Sequence, residues 1–158
     1  LGPLCNPARA PYQVLGVGKP ALRPRLAEAL SLLDIKRAYV VCGSDGLDEI
    51  TLAGNTDVTE VSPRVTSDTQ WQPSMFGLAP TELTGMDADN PAESADRIKA
   101  ILNGATGPGR DIVVINAAAA VSLAKPEWSL TECTSAVQQS IDSGAANDVL
   151  RKFGEVTN

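Results

Sequence analysis

Three carboxylates, Asp45, Asp48 and Glu49, fall close together in the stretch "GSDGLDEI", Gly43 to Ile50. They offer only oxygen, which suits Mg2+, an ion that keeps several waters and takes one or two carboxylates plus substrate phosphates. Gly43 and Gly46 leave the backbone free to bend close to a ligand. Asp48 and Glu49 would point apart on a regular strand, but can converge where a strand gives way to a loop. The residues alone leave two readings open, a cation site and a solvated acidic turn. A second candidate lies in "LGPLCNPARAPYQVLGV", Leu1 to Val17. Gly2 and Pro3 make a rigid bend that is either a structural turn or backbone lining a pocket. Arg9 has the planar fork that grips a carboxylate or phosphate, and equally reads as a surface arginine beside a turn. Cys42 has no cation beside it in sequence to activate its thiol, so it reads as a small buried hydrophobe. Asn116, followed by four alanines, reads as core packing.

Positioning these residues falls to alternating strands and helices. Tyr12 to Val17 reads as a strand or extended segment. Pro20 and Pro24 fit only the first turn of a helix, after which Leu22, Leu26, Ala29, Leu30 and Leu33 form one apolar stripe. Arg37 to Cys42, "RAYVVC", has the continuous apolar run of a strand covered on both faces. Helix followed by buried strand predicts an α/β sheet with largely parallel pairing, flanked by helices. The acidic stretch then lies at a strand's C-terminal end, where ligands of open α/β sheets gather. Extended structure is expected to resume over Glu49 to Leu52, and Asp57 to Trp71 reads as a β excursion or hairpin. Asn90, Pro91 and Glu93 predict a helix start with a capping box, ended by Asn103-Gly104. Ile112 to Ile115 favours strand while the four alanines favour helix. Ser129 and Glu132 form a second capping box for a helix to about Asp142, and a last helix is expected from about Ala145 to Phe153.

Bulk properties remove several functions. At 158 residues the chain has a one-domain length, and 43% hydrophobic with 20% charged residues is a globular balance. The net charge of −6 opposes a sequence-independent grip on nucleic acid. No apolar run reaches membrane-spanning length. The three cysteines form no CxxC pair and the chain has no histidine. A zinc site is not expected, no Ser-His or Cys-His scheme exists in this chain, and a reducing cytoplasm is the natural compartment. No catalytic residue is assigned. The opening "LGPL" reads as the interior of a fold, so further chain is expected before it.

Taken together, these stretches resemble the anthranilate phosphoribosyltransferase family. "LGPLCNPARAPYQVLGV" is similar to that family's "LGPLTNPARAP.Q..GV" segment, and "RAYVVCGSDGLDEITLAGNTDVTEV" to its strand, "GLDE" motif and β excursion. "FGLAPTEL", "NPAESADRIKAILNG" and "DIVVINAAAAVSLA" follow in the family's order. The resemblance implies a nucleoside phosphorylase/phosphoribosyltransferase-like C-terminal α/β domain over residues 1–158, with the alanine-rich block helical. It implies transfer of the phosphoribosyl group of phosphoribosyl pyrophosphate to anthranilate, in tryptophan biosynthesis. It further implies Mg2+ as cofactor held by Asp48 and Glu49, Gly2 and Pro3 beside the anthranilate ring, and a homodimer for the complete enzyme.

The family's "GTGGD" pyrophosphate loop, its "KHGN" segment and the arginine that meets the anthranilate carboxylate do not occur in this chain. The N-terminal helical domain is absent with them, and this chain alone is expected to be inactive. Cys42 stands where the family commonly has histidine. Two rivals remain: a non-catalytic relative acting as a binding or scaffold protein, and a nucleoside phosphorylase. The acidic balance opposes nucleic-acid binding in the first, and the "LGPL.NPAR" and "GLDE" blocks oppose the second.

Overall fold

The computed structural model describes residues 2–157. Its elements in chain order are β1 (Tyr12–Gly16), α1 (Arg23–Ser31), β2 (Arg37–Gly43), β3 (Thr56–Ser62), β4 (Val65–Trp71), α2 (Pro91–Leu102), α3 (Pro108–Ala124), α4 (Leu130–Asp142) and α5 (Ala145–Thr157). Short 3-10 turns occupy Gly2–Cys5, Pro20–Leu22 and Pro73–Phe76. The four strands form one sheet in the order β1-β2-β3-β4.

The α/β class is as the sequence implies, but parallel pairing holds for β1 with β2 alone. β2 with β3 and β3 with β4 run antiparallel. A parallel pair needs a crossover of a dozen or more residues, usually a helix. Only α1 supplies one. β3 and β4 are joined through Pro63 and Arg64, too short for anything but a hairpin, with Arg64 left-handed at φ 60°.

Alternation along β2 builds two cores. Tyr39 and Val41 face a cluster with Ile50, Leu52, Val58, Trp71, Phe76 and the inner faces of α3 and α4. Ala38 and Val40 face the other side, where Ala27 and Leu30 of α1 pack with Val61. The strand is buried on both faces, as its unbroken apolar run requires. Tyr39 meets Trp71 edge-on at 4.8 Å between centroids, and Trp71 meets Phe76 at 5.5 Å. Phe76 is wholly buried, and fully burying such a side chain stabilises by about 1.5–3 kcal/mol. Arg110 of α3, nearly buried, pairs with Asp142 of α4 at 2.7 Å.

The caps form where the sequence places them, with one refinement. Ser129 and Glu132 make the full reciprocal box at α4. At α2, Asn90 accepts from the Glu93 N–H, but the Glu93 carboxylate takes the N–H of Asp89, not that of Asn90. The block Ile112 to Ala120 is helical within α3, so the alanines and the packing of its inner face decide the ambiguity.

Candidate functional site

The loop of residues 44–55 leaves β2 at the C-terminal ends of the parallel pair and carries all three acidic candidates. The expected strand over Glu49 to Leu52 does not form. Its backbone groups are taken by side chains instead of a neighbouring strand: Ile50 N–H by Asn116 Oδ1 at 2.9 Å, and Thr51 N–H by Thr56 Oγ1 at 3.0 Å. Gly46 turns the chain at φ 90°, a conformation glycine adopts without steric cost.

The structure separates Asp45 from its two neighbours. Asp45 folds back into its own loop, accepting Leu47 N–H at 3.2 Å and the Thr51 hydroxyl at 2.5 Å. Thr51 is fully buried and its hydroxyl oxygen in turn accepts Ala53 N–H at 2.9 Å. Asp45 therefore shapes the loop. Asp48 and Glu49 are exposed and line one groove of about 500 Å3 with Val14, Gly16, Val41, Ile112, Val113 and Asn116. Partial desolvation in the groove holds the Glu49 carboxyl above its ordinary range, and the neighbouring Asp48 charge adds to this. A cation between them would relieve that repulsion, so the donor set fits a hard divalent ion. Among the described residues no cluster of three His, Cys, Asp or Glu side chains could hold a metal. Ligands beyond the two carboxylates would therefore be waters and substrate oxygens, the arrangement Mg2+ commonly accepts.

Gly16, at the end of β1, is what lets the loop sit there. A Cβ at this position would lie 1.5 Å from the Asp48 carbonyl oxygen and 2.5 Å from its carbon. From sequence, Gly16 carries no site signal and Asn116 reads as core packing. Asn116 did leave a signal, a lone polar side chain in an otherwise apolar run.

The amino-terminal candidates lie elsewhere. Gly2 and the backbone of Pro3 form a 3-10 turn; the Pro3 side chain, like Leu1, lies outside the described residues. Gly2 is exposed with open space around it. Beside this turn, Leu4, Cys5, Asn6, Arg9 and Gln13 line a second groove of about 440 Å3 against Leu30 and Ile35. Arg9 is exposed and left-handed at φ 47°. Cys42 is buried in β2, and burial, with Asp57 adding, pushes its thiol up, so it remains a protonated small hydrophobe.

Comparison with known proteins places the chain in a family. The family described as "Glycosyl transferase family, a/b domain" matches residues 1–147, and the chain belongs to that family. Its curated relatives include the anthranilate phosphoribosyltransferases of Rhodopirellula baltica, 41% identical over 155 residues, and Herpetosiphon aurantiacus, 44% identical over 160. The matches cover 98% and 100% of this chain but 45% and 47% of those relatives, so the chain spans about half their length. Among solved structures, anthranilate phosphoribosyltransferase from Saccharomyces cerevisiae in complex with PRPP and Mg superposes with a TM-score of 0.88. It is 31% identical, covering 97% of this chain and 44% of that one. The same enzyme in complex with 4-fluoroanthranilate gives 0.88 at 32% identity, covering 97% and 45%. The resemblance carried by the sequence blocks is the one these matches show. Among the described residues no helix is long and apolar enough to cross a membrane.

Proposed function

We propose that this chain is the C-terminal α/β part of a Mg2+-dependent anthranilate phosphoribosyltransferase, acting in tryptophan biosynthesis. The complete enzyme would be a cytoplasmic homodimer. Its N-terminal helical domain and pyrophosphate-binding loop would be supplied by chain outside residues 1–158. The reading is supported above all by one arrangement in a chain of this family: Asp48 and Glu49 share a groove at the C-terminal ends of β1 and β2.

In this reading phosphoribosyl pyrophosphate loses pyrophosphate as anthranilate nitrogen bonds to the ribose anomeric carbon. Negative charge grows on the leaving pyrophosphate. Bound Mg2+ would neutralise that charge as a Lewis acid. Asp48 and Glu49 would hold the ion, and Val14, Val41, Ile112 and Val113 would give the groove an apolar wall in which its charge is screened less than in water. Gly2 and Pro3 would lie beside the anthranilate ring. In this reading the contribution of this chain is to hold and orient.

The test follows anthranilate fluorescence in the presence of phosphoribosyl pyrophosphate and Mg2+. The chain alone is expected to give no turnover. Joined to a complete N-terminal part, it is expected to turn over, and to lose about 100-fold or more with Asp48→Ala or Glu49→Ala, the scale of removing a charge-stabilising group. Turnover by the chain alone would overturn the division of labour. Full activity of the joined enzyme with both carboxylates replaced would overturn the metal assignment.

A further inference from the structure

The acidic pair is followed directly by a residue whose backbone is bonded on both sides by one side chain from another layer. Ile50 donates its N–H to Asn116 Oδ1 at 2.9 Å and accepts from Asn116 Nδ2 at 3.0 Å. The same Nδ2 donates to the Ile112 carbonyl at 3.0 Å and lies 3.4 Å from Glu49 Oε2. Asn116 thus exchanges with Ile50 the pair of bonds that a neighbouring strand would have made. Its bond to Ile112, one turn back on α3, fixes the side chain's own orientation. A primary amide has two donor hydrogens, so the Ile50 and Ile112 carbonyls take both and Glu49 receives at most a shared one. From the opposite side, Gly16 admits the Asp48 carbonyl against β1. The backbone that carries the two carboxylates is therefore held between a strand and a helix far apart in sequence.

We propose that Asn116 is a positioning residue for the Asp48–Glu49 pair. It sets the backbone path directly after Glu49, so that both side chains turn oxygens toward one divalent cation. Its action is through the Ile50 backbone. The proposal rests on the Mg2+ reading above. An asparagine serving the fold alone would make the same bonds to Ile50 and Ile112, but its amide would be indifferent to metal.

The test is an NMR titration of the 158-residue chain with Mg2+, and with Mn2+ as a paramagnetic probe. In the wild type, Mn2+ is expected to broaden the backbone signals of Gly16, Asp48 and Glu49. Mg2+ is expected to shift the side-chain NH2 signals of Asn116 in step with them. Asn116→Leu, close in volume but without the amide, is expected to weaken Mn2+ binding about 10-fold and to expose the Ile50 amide to exchange. Unchanged Mn2+ binding by a folded Asn116→Leu chain would overturn the proposal and leave the metal reading standing. If that variant fails to fold, the wild-type titration decides: an Asn116 NH2 signal that stays fixed while Asp48 and Glu49 shift overturns the proposal. No Mn2+ effect at Asp48 and Glu49 in the wild type would sink the metal reading and the proposal together.

Discussion

Residues 44–55 and residues 2–10 are both irregular, both contain glycine, and both supplied candidate site residues. The fold ties them down in different ways. The acidic loop adds to its internal bonds three that end on other parts of the fold: Ile50 with α3, Thr51 N–H donating to β3, and the Leu52 carbonyl accepting from Thr81 N–H at 2.9 Å. Within the amino-terminal segment, the Ala8 and Arg9 N–H groups are taken by Asn6 of the same turn. A loop without regular structure becomes a precise platform when its bonds end on rigid elements, because those elements fix where its side chains point. A turn bonded to itself keeps its shape but takes less of its placement from the rest of the molecule.

The sharpest way to break this comparison is Gly16→Ala. The new methyl would overlap backbone at Asp48, which cannot rotate away as a side-chain tip can. The expected loss is about 3 kcal/mol or more, read by urea unfolding, with the midpoint falling sharply. A variant as stable as the wild type would mean that the loop is not pressed against β1.

Thr51→Val comes next. It keeps the volume but removes the hydroxyl that joins Asp45 to the Ala53 amide. A loss of about 0.5–1.5 kcal/mol is expected, the net worth of an intramolecular hydrogen bond, and thermal unfolding would measure it.

Glu49→Gln tests the electrostatics and should act with the opposite sign. Burial first, and Asp48 second, raise the Glu49 carboxyl above its ordinary value of 4.5. The folded state then binds this proton more tightly than the unfolded state. Charged Glu49 therefore costs stability near neutral pH, and the cost is relieved as pH falls through the folded value toward the ordinary one. Without metal, the variant is expected to be slightly more stable than the wild type at neutral pH, with the advantage fading on acidification. Adding Mg2+ should raise wild-type stability and not that of the variant, as unfolding curves across pH would show.

The smallest effect is expected at Gly2→Ala, where the space is open. A change within about 0.5 kcal/mol is expected from urea unfolding. A larger loss would mean that this turn depends on the rest of the fold as the acidic loop does.

The same contrast explains what could be read in advance. Local features were legible: the caps at Asn90 and Ser129, the buried run of β2, the turn at Gly46, and Asp48 and Glu49 as candidates. What escaped were relations across the chain. Parallel pairing was inferred from one helix-to-strand step, whereas the sense of β3 was set by a link of residues 44–55 that carries no helix. The strand expected over Glu49 to Leu52 was lost to partners whose positions no local pattern reveals. Asn116 sits 66 residues from Ile50, and its alanine neighbours made packing the simpler reading. Gly16 looked like any glycine at a strand end, because its requirement comes from the Asp48 carbonyl and not from its own backbone angles.

The span between Ile50 and Asn116 also orders events during synthesis. The antiparallel meander of β2, β3 and β4 can pair once Trp71 has left the ribosome, since its partners are local in sequence. The Ile50 amide and carbonyl gain their partner only when the nascent chain has grown far enough to free α3. With elongation at roughly 5–20 residues per second, seconds separate the emergence of Trp71 from the moment at which the clamp on the acidic loop can be made.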